Sequence, residues 1–268
     1  MKKQQKKAKN FIIALAYVVL YYVVSFAVGN IYFWWLTNAG GLSSYEAQIT
    51  AINNTCVLTV VTWALCCWLY ILIGKMVKEP LKNEIVREKN PPIIFLMASV
   101  LAVGCRFLVV AYYYIAQKIP VLAQSIESAA GNNPEITTNW QALMWICCIA
   151  LIAPFFEELL FRVLVMGRLL RIMRPWAAIV LQASAFGALH GVLFQSIFAF
   201  VVGIALGIVY YKTKNIKTVT LCHSIFNLSA SLMQENITMQ GALVFTVTGL
   251  LLSSLSLFYI VNSKKKDN

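Results

Sequence analysis

Ala153-Pro-Phe-Phe-Glu-Glu-Leu-Leu-Phe-Arg162 is the stretch that decides how this chain is read. It puts Glu157, Glu158 and Arg162 inside an apolar run. A charged group at the middle of a bilayer costs roughly 2.5–3.5 kcal/mol on insertion scales. These three ionisable groups therefore need a reason: a pairing that holds a helix bundle together, or chemistry. Residues four apart on an α-helix share a face, whereas neighbours point about 100° apart. Glu158 and Arg162 can thus form an intramembrane ion pair in the favourable order. Glu157 points elsewhere with no local cation, which suits a general base. The plainer alternative is a salt-bridged pair with one spare glutamate facing a polar gap.

Working outward, the surroundings are those of a membrane protein. The 268 residues are 60% hydrophobic and 12% charged, with a mean hydropathy of +0.74. These values exclude an ordinary soluble domain and indicate an all-α, polytopic membrane protein. About eight apolar segments can be drawn, over residues 11–36, 51–74, 93–117, 140–166, 176–193, 195–211, 218–233 and 241–261. The fifth to seventh are short for a span of about 20 residues, so tilt or local thinning is expected there. The expected organisation is three helices with their loops (1–139), a core of helices 4 to 7 (140–233), and a last helix with a basic tail (234–268).

The net charge of +12 is concentrated in alternate short loops, the signature of membrane orientation and not of a nucleic-acid surface. One side carries Lys2, Lys3, Lys6, Lys7 and Lys9, then Lys75 to Lys89, Arg168 to Arg174, Lys212 to Lys217 and Lys264 to Lys266. The opposite loops hold only Lys118 against Glu46, Glu127, Glu135 and Glu235. Both termini are therefore expected to be cytoplasmic, in a cell membrane. The first apolar run has no Ala-x-Ala cleavage site and reads as a retained helix. The loop 75–92 is amphipathic and ends in a Pro-Pro pair, so it reads as a solvated connector or a segment lying on the membrane. The loop 118–139 reads as an irregular cap. Asn236-Ile-Thr238 matches a glycosylation sequon. The seven cysteines form no Cys-x-x-Cys and read as small buried hydrophobes.

The only two histidines, His190 and His223, both lie in apolar segments. Each can be a plain hydrogen-bonder within the bundle. Each also shares a helix face with a partner four residues away: Phe186 with His190, and His223 with Asn227. Asn227 is costly in hydrocarbon and needs partners. Gly187, Gly191, Gly203 and Gly207 are expected to serve close helix packing. At about 1.5 Å per residue, the depths of Glu157, His190 and His223 agree only to about 12 Å. Tilt, extension of the fourth helix past Met166, or a bend at Pro154 can close that gap.

Glu157-Glu158-x-x-x-Arg162, Phe186-x-x-x-His190 and His223-x-x-x-Asn227, in that order and each on a membrane helix, resemble the three-motif signature of the CPBP family. This is the CAAX prenyl endopeptidase, Abi and bacteriocin-processing group of intramembrane proteases, and the resemblance covers roughly residues 140–233. It implies an eight-helix protease with a cavity facing the cytoplasm, acting on a membrane-associated peptide or protein in a bacterial membrane, with a pheromone, leader peptide or bacteriocin as plausible substrates. Glu157 is expected to activate water and pass its proton to the leaving amine. His190 is expected to orient that water, and His223 with Asn227 to donate to the oxyanion. Glu158, Arg162 and Phe186 are expected to support them. The group has been classed as metalloproteases, and glutamate-dependent catalysis is also proposed for it. A Glu157, His190 and His223 set can in principle hold zinc. With no His-Glu-x-x-His helix, the metal-free reading is preferred. Cys222, beside His223, faces another direction and makes a poor nucleophile candidate. The competing functions are a non-proteolytic immunity or scaffold protein, and a proton-coupled transporter without an evident inverted repeat.

Overall fold

The computed structural model describes residues 2–78, 89–130, 134–232 and 237–263. Among these the chain is helical, with no strand element. Four expectations fall at least partly outside them: the membrane-surface segment within 75–92, the sequon at Asn236, the acidic Glu235, and the basic tail at Lys264 to Lys266.

In chain order the helices are α1 (Lys2–Asn38), α2 (Ser44–Asn53), α3 (Thr55–Met76), α4 (Pro92–Ala116) and α5 (Pro120–Ala130). They continue with α6 (Asn139–Leu169), α7 (Pro175–Leu189), α8 (Leu193–Thr213), α9 (Ile216–Leu228) and α10 (Met239–Asn262). All eight expected segments form helix, and the count of about eight spans is met approximately. Among the described residues, six helices are long and apolar enough to cross a membrane: α1, α3, α4, α6, α8 and α10. Helix α7 has 15 residues and α9 has 13. At about 1.5 Å per residue they reach roughly 20 Å, short of a hydrocarbon core of about 30 Å. Both therefore end part-way through, and it is at these ends that His190 and Asn227 lie.

The interior turn between α7 and α8 is built for this. His190 closes α7, and Gly191 follows at φ +67°. This is the left-handed conformation that ends many helices and favours glycine. A Cβ on Gly191 would meet nothing within 4 Å, so its role is conformational, not the packing expected from sequence. Gly187, Gly203 and Gly207 do serve packing. Added Cβ atoms would meet the Ser196 carbonyl at 2.8 Å, the Phe186 ring at 3.0 Å and the Gln182 amide at 2.7 Å, respectively.

The loop 118–139 is not irregular throughout, a second correction. Pro120 occupies the start of α5, where its missing N–H costs nothing. Leu122 is buried there and Ile126 packs with it against Phe194. The Ser125 hydroxyl accepts from the Phe194 N–H at 2.9 Å, so α5 caps the otherwise bare start of α8.

Behind the core, α4 and α10 cross closely. A Cβ on Gly104 would lie 2.9 Å from the Ser253 backbone nitrogen, and one on Gly249 would lie 2.9 Å from the Gly104 carbonyl. Without a hydrophobic driving force between helices in lipid, such small-residue crossings bring backbones near enough for dispersion to act. Arg106 on α4 donates Nε and Nη2 to the Phe226 carbonyl at 3.2 and 2.8 Å, and lies over the Phe226 ring at 4.1 Å. It thereby satisfies a carbonyl in the last turn of α9, where helix partners run out.

Candidate active site

The helix α6 carries the site, and it is not a regular α-helix. It contains two π-helical stretches, Cys148–Ile152 and Leu159–Met166, on either side of Ala153–Glu158. Pro154 helps explain the first. The Ala153 N–H bonds the Cys148 carbonyl, and Pro154 has no N–H to give to Ile149 in the same wide register. The Ile149 carbonyl is left without a helix donor, and the Asn227 side chain supplies one, Nδ2 to oxygen at 2.8 Å. The costly amide of α9 and the orphaned carbonyl of α6 thus satisfy each other.

The turn that follows carries the charges. Glu158 Oε2 lies 2.9 Å from Arg162 Nε, and both side chains are fully buried. Glu158 Oε1 lies 2.8 Å from His223 Nδ1. Because a carboxylate only accepts, Nδ1 carries the hydrogen. Arg162 also donates Nη1 to Gln182 Oε1 at 2.8 Å, and Gln182 Nε2 donates to the Ile179 and Gly203 carbonyls at 2.9 and 3.1 Å. A buried ion pair is tolerable in a low-dielectric interior when further polar partners meet it, and His223 and Gln182 are such partners.

Glu157 stands apart from that chain. Its carboxylate lies 3.7 Å from His223 Nε2, and its side chain retains 17% exposure. His223 therefore faces Glu158 with one nitrogen and Glu157 with the other. His190 holds its Nδ1 at 3.0 Å from the Phe186 carbonyl. That acceptor requires the hydrogen on Nδ1 and leaves Nε2 as an acceptor in the neutral ring. The Phe186 ring meets both imidazoles edge-on, at 5.1 Å for His190 and 5.7 Å for His223, with the Arg162 guanidinium 4.8 Å from its centroid. One aromatic ring thus separates and orients the two histidines.

All seven positions expected from the motifs lie on α6, on α9 and on α7 or at its end, around this cluster. Three contacts were not anticipated. Glu158 serves His223 as well as Arg162. Gln182 is fully buried in the network. Arg106 anchors the end of α9. Gln182 could have been found: a glutamine in an apolar run, four residues before Phe186 and eight before His190, shares their face. The Glu158 to His223 contact had no local signal, because 65 residues separate the two.

Cys222 is buried, and all seven cysteines are free thiols. Among the described residues, no three His, Cys, Asp or Glu side chains gather into a set that holds a metal. Glu157, His190 and His223 do not form the three-ligand cluster that zinc takes.

A family model described as Type II CAAX prenyl endopeptidase Rce1-like matches residues 139–229. No curated protein and no solved structure matches the chain. The matched stretch opens at the first residue of α6 and closes just past α9, so it encloses the whole cluster. The α6–α9 core of this multi-pass chain is thus similar to the Type II CAAX prenyl endopeptidase Rce1-like family.

Proposed function

We propose that the protein is an intramembrane endopeptidase that hydrolyses a peptide bond in a membrane-associated peptide or protein, with Glu157 as the base. The observation that carries this reading is the division of labour between neighbouring glutamates. Glu158 is fully buried and committed to Arg162 and His223, whereas Glu157 keeps partial exposure and faces the free edge of His223.

In the proposed reaction Glu157 takes a proton from water as the water oxygen attacks the scissile carbonyl carbon. The carbonyl oxygen becomes an oxyanion. His223, held through Nδ1 by Glu158, presents Nε2–H to it when protonated. Asn227 uses one amide hydrogen on the Ile149 carbonyl and keeps the second for the substrate. Each such donor contributes about 2.7–4 kcal/mol to the transition state. His190 Nε2 accepts from the attacking water and orients it. Glu157 then gives its proton to the leaving amine as the C–N bond breaks, producing a carboxylic acid, which ionises in water, and an amine. Arg162, Phe186 and Gln182 hold these groups in place.

The basic loops support an orientation with both termini on the cytoplasmic side of a bacterial cell membrane. The decisive experiment compares the wild type with E157Q, H190A and H223A, each reconstituted and shown to be folded, on a membrane-borne peptide. Loss of cleavage in all three is expected. Full biological activity in all three would instead mark a scaffold or immunity protein.

A further inference from the structure

Where the basic end of α1 meets the end of α6, a cavity of ≈ 640 Å³ is lined by Gln5, Lys6, Lys9 and Asn10 of α1 and by Arg171. Helix α1 packs against the last turn of α6 beside it. The turn that follows α6 sets Arg171: its N–H bonds the Arg168 carbonyl at 3.2 Å, and the Ile172 N–H bonds the Leu169 carbonyl at 3.0 Å. On α1, Gln5 and Lys9 are four apart, as are Lys6 and Asn10, so two adjoining stripes of one helix side form the other wall. Lys6, Lys9 and Arg171 thus surround one space, and among the described residues its lining holds no carboxylate. Like charges around one cavity repel, and an anion between them relieves this.

Asn10 adds a second demand. It is the last polar residue before the apolar run that begins at Phe11, and it is only 4% exposed. Its Nδ2 donates to the Lys6 carbonyl at 2.9 Å, whereas Oδ1 is buried and meets no donor among the described residues. A buried acceptor left unmet is destabilising. The cavity therefore offers cations to an anion and, at its membrane end, an acceptor to a hydroxyl. Below Lys9 the same stripe of α1 runs through Ile12, Ala16 and Val19, of which Ile12 and Val19 are exposed. Trp176, exposed at the start of α7 just past Arg174, is suited to headgroup level.

We propose that this cavity binds an acidic phospholipid. The phosphodiester sits among Lys6, Lys9 and Arg171, a headgroup hydroxyl donates to Asn10 Oδ1, and an acyl chain follows Ile12 and Val19. A phosphatidylglycerol-type headgroup has this chemistry: one negative phosphodiester and neutral hydroxyls. The ammonium of a zwitterionic headgroup would face three cations. A free phosphate ion shares the charge but has no chain for the apolar stripe. Basic pockets between membrane helices hold headgroups in this way. At about 1.5 Å per residue, Arg171 lies roughly 20 Å from Glu157, so the site is separate from the catalytic cluster and independent of the protease reading.

The test reads lipid adducts on the full chain in detergent by native mass spectrometry. The probes are phosphatidylglycerol, phosphatidylmethanol (the same phosphodiester with no hydroxyl), phosphatidylcholine and inorganic phosphate. Wild type is expected to prefer phosphatidylglycerol to phosphatidylcholine by about tenfold or more, as several cations at a membrane surface predict. Lys6→Gln combined with Lys9→Gln is expected to abolish that preference; both lysines are exposed, so packing is left intact. Lys75→Gln combined with Lys217→Gln, which removes two exposed charges from the same basic face, is expected to keep it. Equal losses in the two double variants mean general surface charge and overturn the site. Wild type is also expected to favour phosphatidylglycerol over phosphatidylmethanol, and Asn10→Ala to bind them equally. Discrimination that survives Asn10→Ala overturns Asn10 as the hydroxyl's partner. Binding of inorganic phosphate that the Lys6 and Lys9 variant loses, with no preference among the lipids, means a soluble-anion site and overturns the lipid.

Discussion

His223 Nδ1 lies 2.8 Å from Glu158 Oε1, so it is the second glutamate of the pair, and not the proposed base, that holds the histidine. The two neighbouring carboxylates therefore answer differently to the same substitution. Glu158→Gln leaves the buried Arg162 charge unpaired and is expected to cost about 3–5 kcal/mol of stability. Glu157→Gln removes a partly exposed group outside the network and is expected to unfold near the wild-type temperature while lowering turnover about 10²–10⁴-fold. Thermal unfolding in detergent, run beside a cleavage assay, separates the two. Equal losses of stability would contradict the division of roles.

Asn227 is tied to the Ile149 carbonyl that Pro154 helps to orphan. Asn227→Ala should leave that part-buried carbonyl unmet and destabilise by about 1–3 kcal/mol. The double variant Asn227→Ala with Pro154→Ala is expected to recover part of this, because replacing the proline restores an N–H to the α6 ladder. A double-mutant cycle on unfolding temperature measures the coupling, and strict additivity would show the two residues to be independent.

Gln182 bridges Arg162 and the Gly203 carbonyl. Gln182→Leu is expected to lower stability by about 1–3 kcal/mol through the polar atoms it strands, with a loss of activity that follows the fraction folded. An activity loss at full stability would mean that Gln182 touches substrate.

Metal dependence has a direct check. Turnover is expected to survive extensive dialysis against a strong zinc chelator, because Glu157, His190 and His223 do not gather as a ligand set. Loss of activity on chelation, restored by added zinc, would contradict this.

Outside the membrane, Ser43 and Glu46 form a reciprocal cap at the start of α2. The Ser43 hydroxyl and backbone N–H hold the Glu46 carboxyl below its usual value. A depressed carboxylate contributes stability above its unfolded pKa and loses it as pH falls through the folded value. The start of α2 should thus fray only in acid, and Ser43→Ala should raise the Glu46 titration point, as read by NMR or by hydrogen exchange across α2.

The chain's residue order was enough for the broad result. Apolar runs of span length, and basic residues in alternate loops, follow from the cost of charge and bare backbone in lipid, which acts locally along the chain. The ion pair of Glu158 with Arg162 was equally readable, because four residues of helix fix that contact. What needed the folded molecule was everything set between helices. The short reach of α7 and α9 depends on where Gly191 and the end of α9 stop them. The assignment of His223 to Glu158 joins residues 65 apart, and no helical period connects them. Pro154 could be read as a bend, but the carbonyl it frees is visible only when Asn227 arrives beside it.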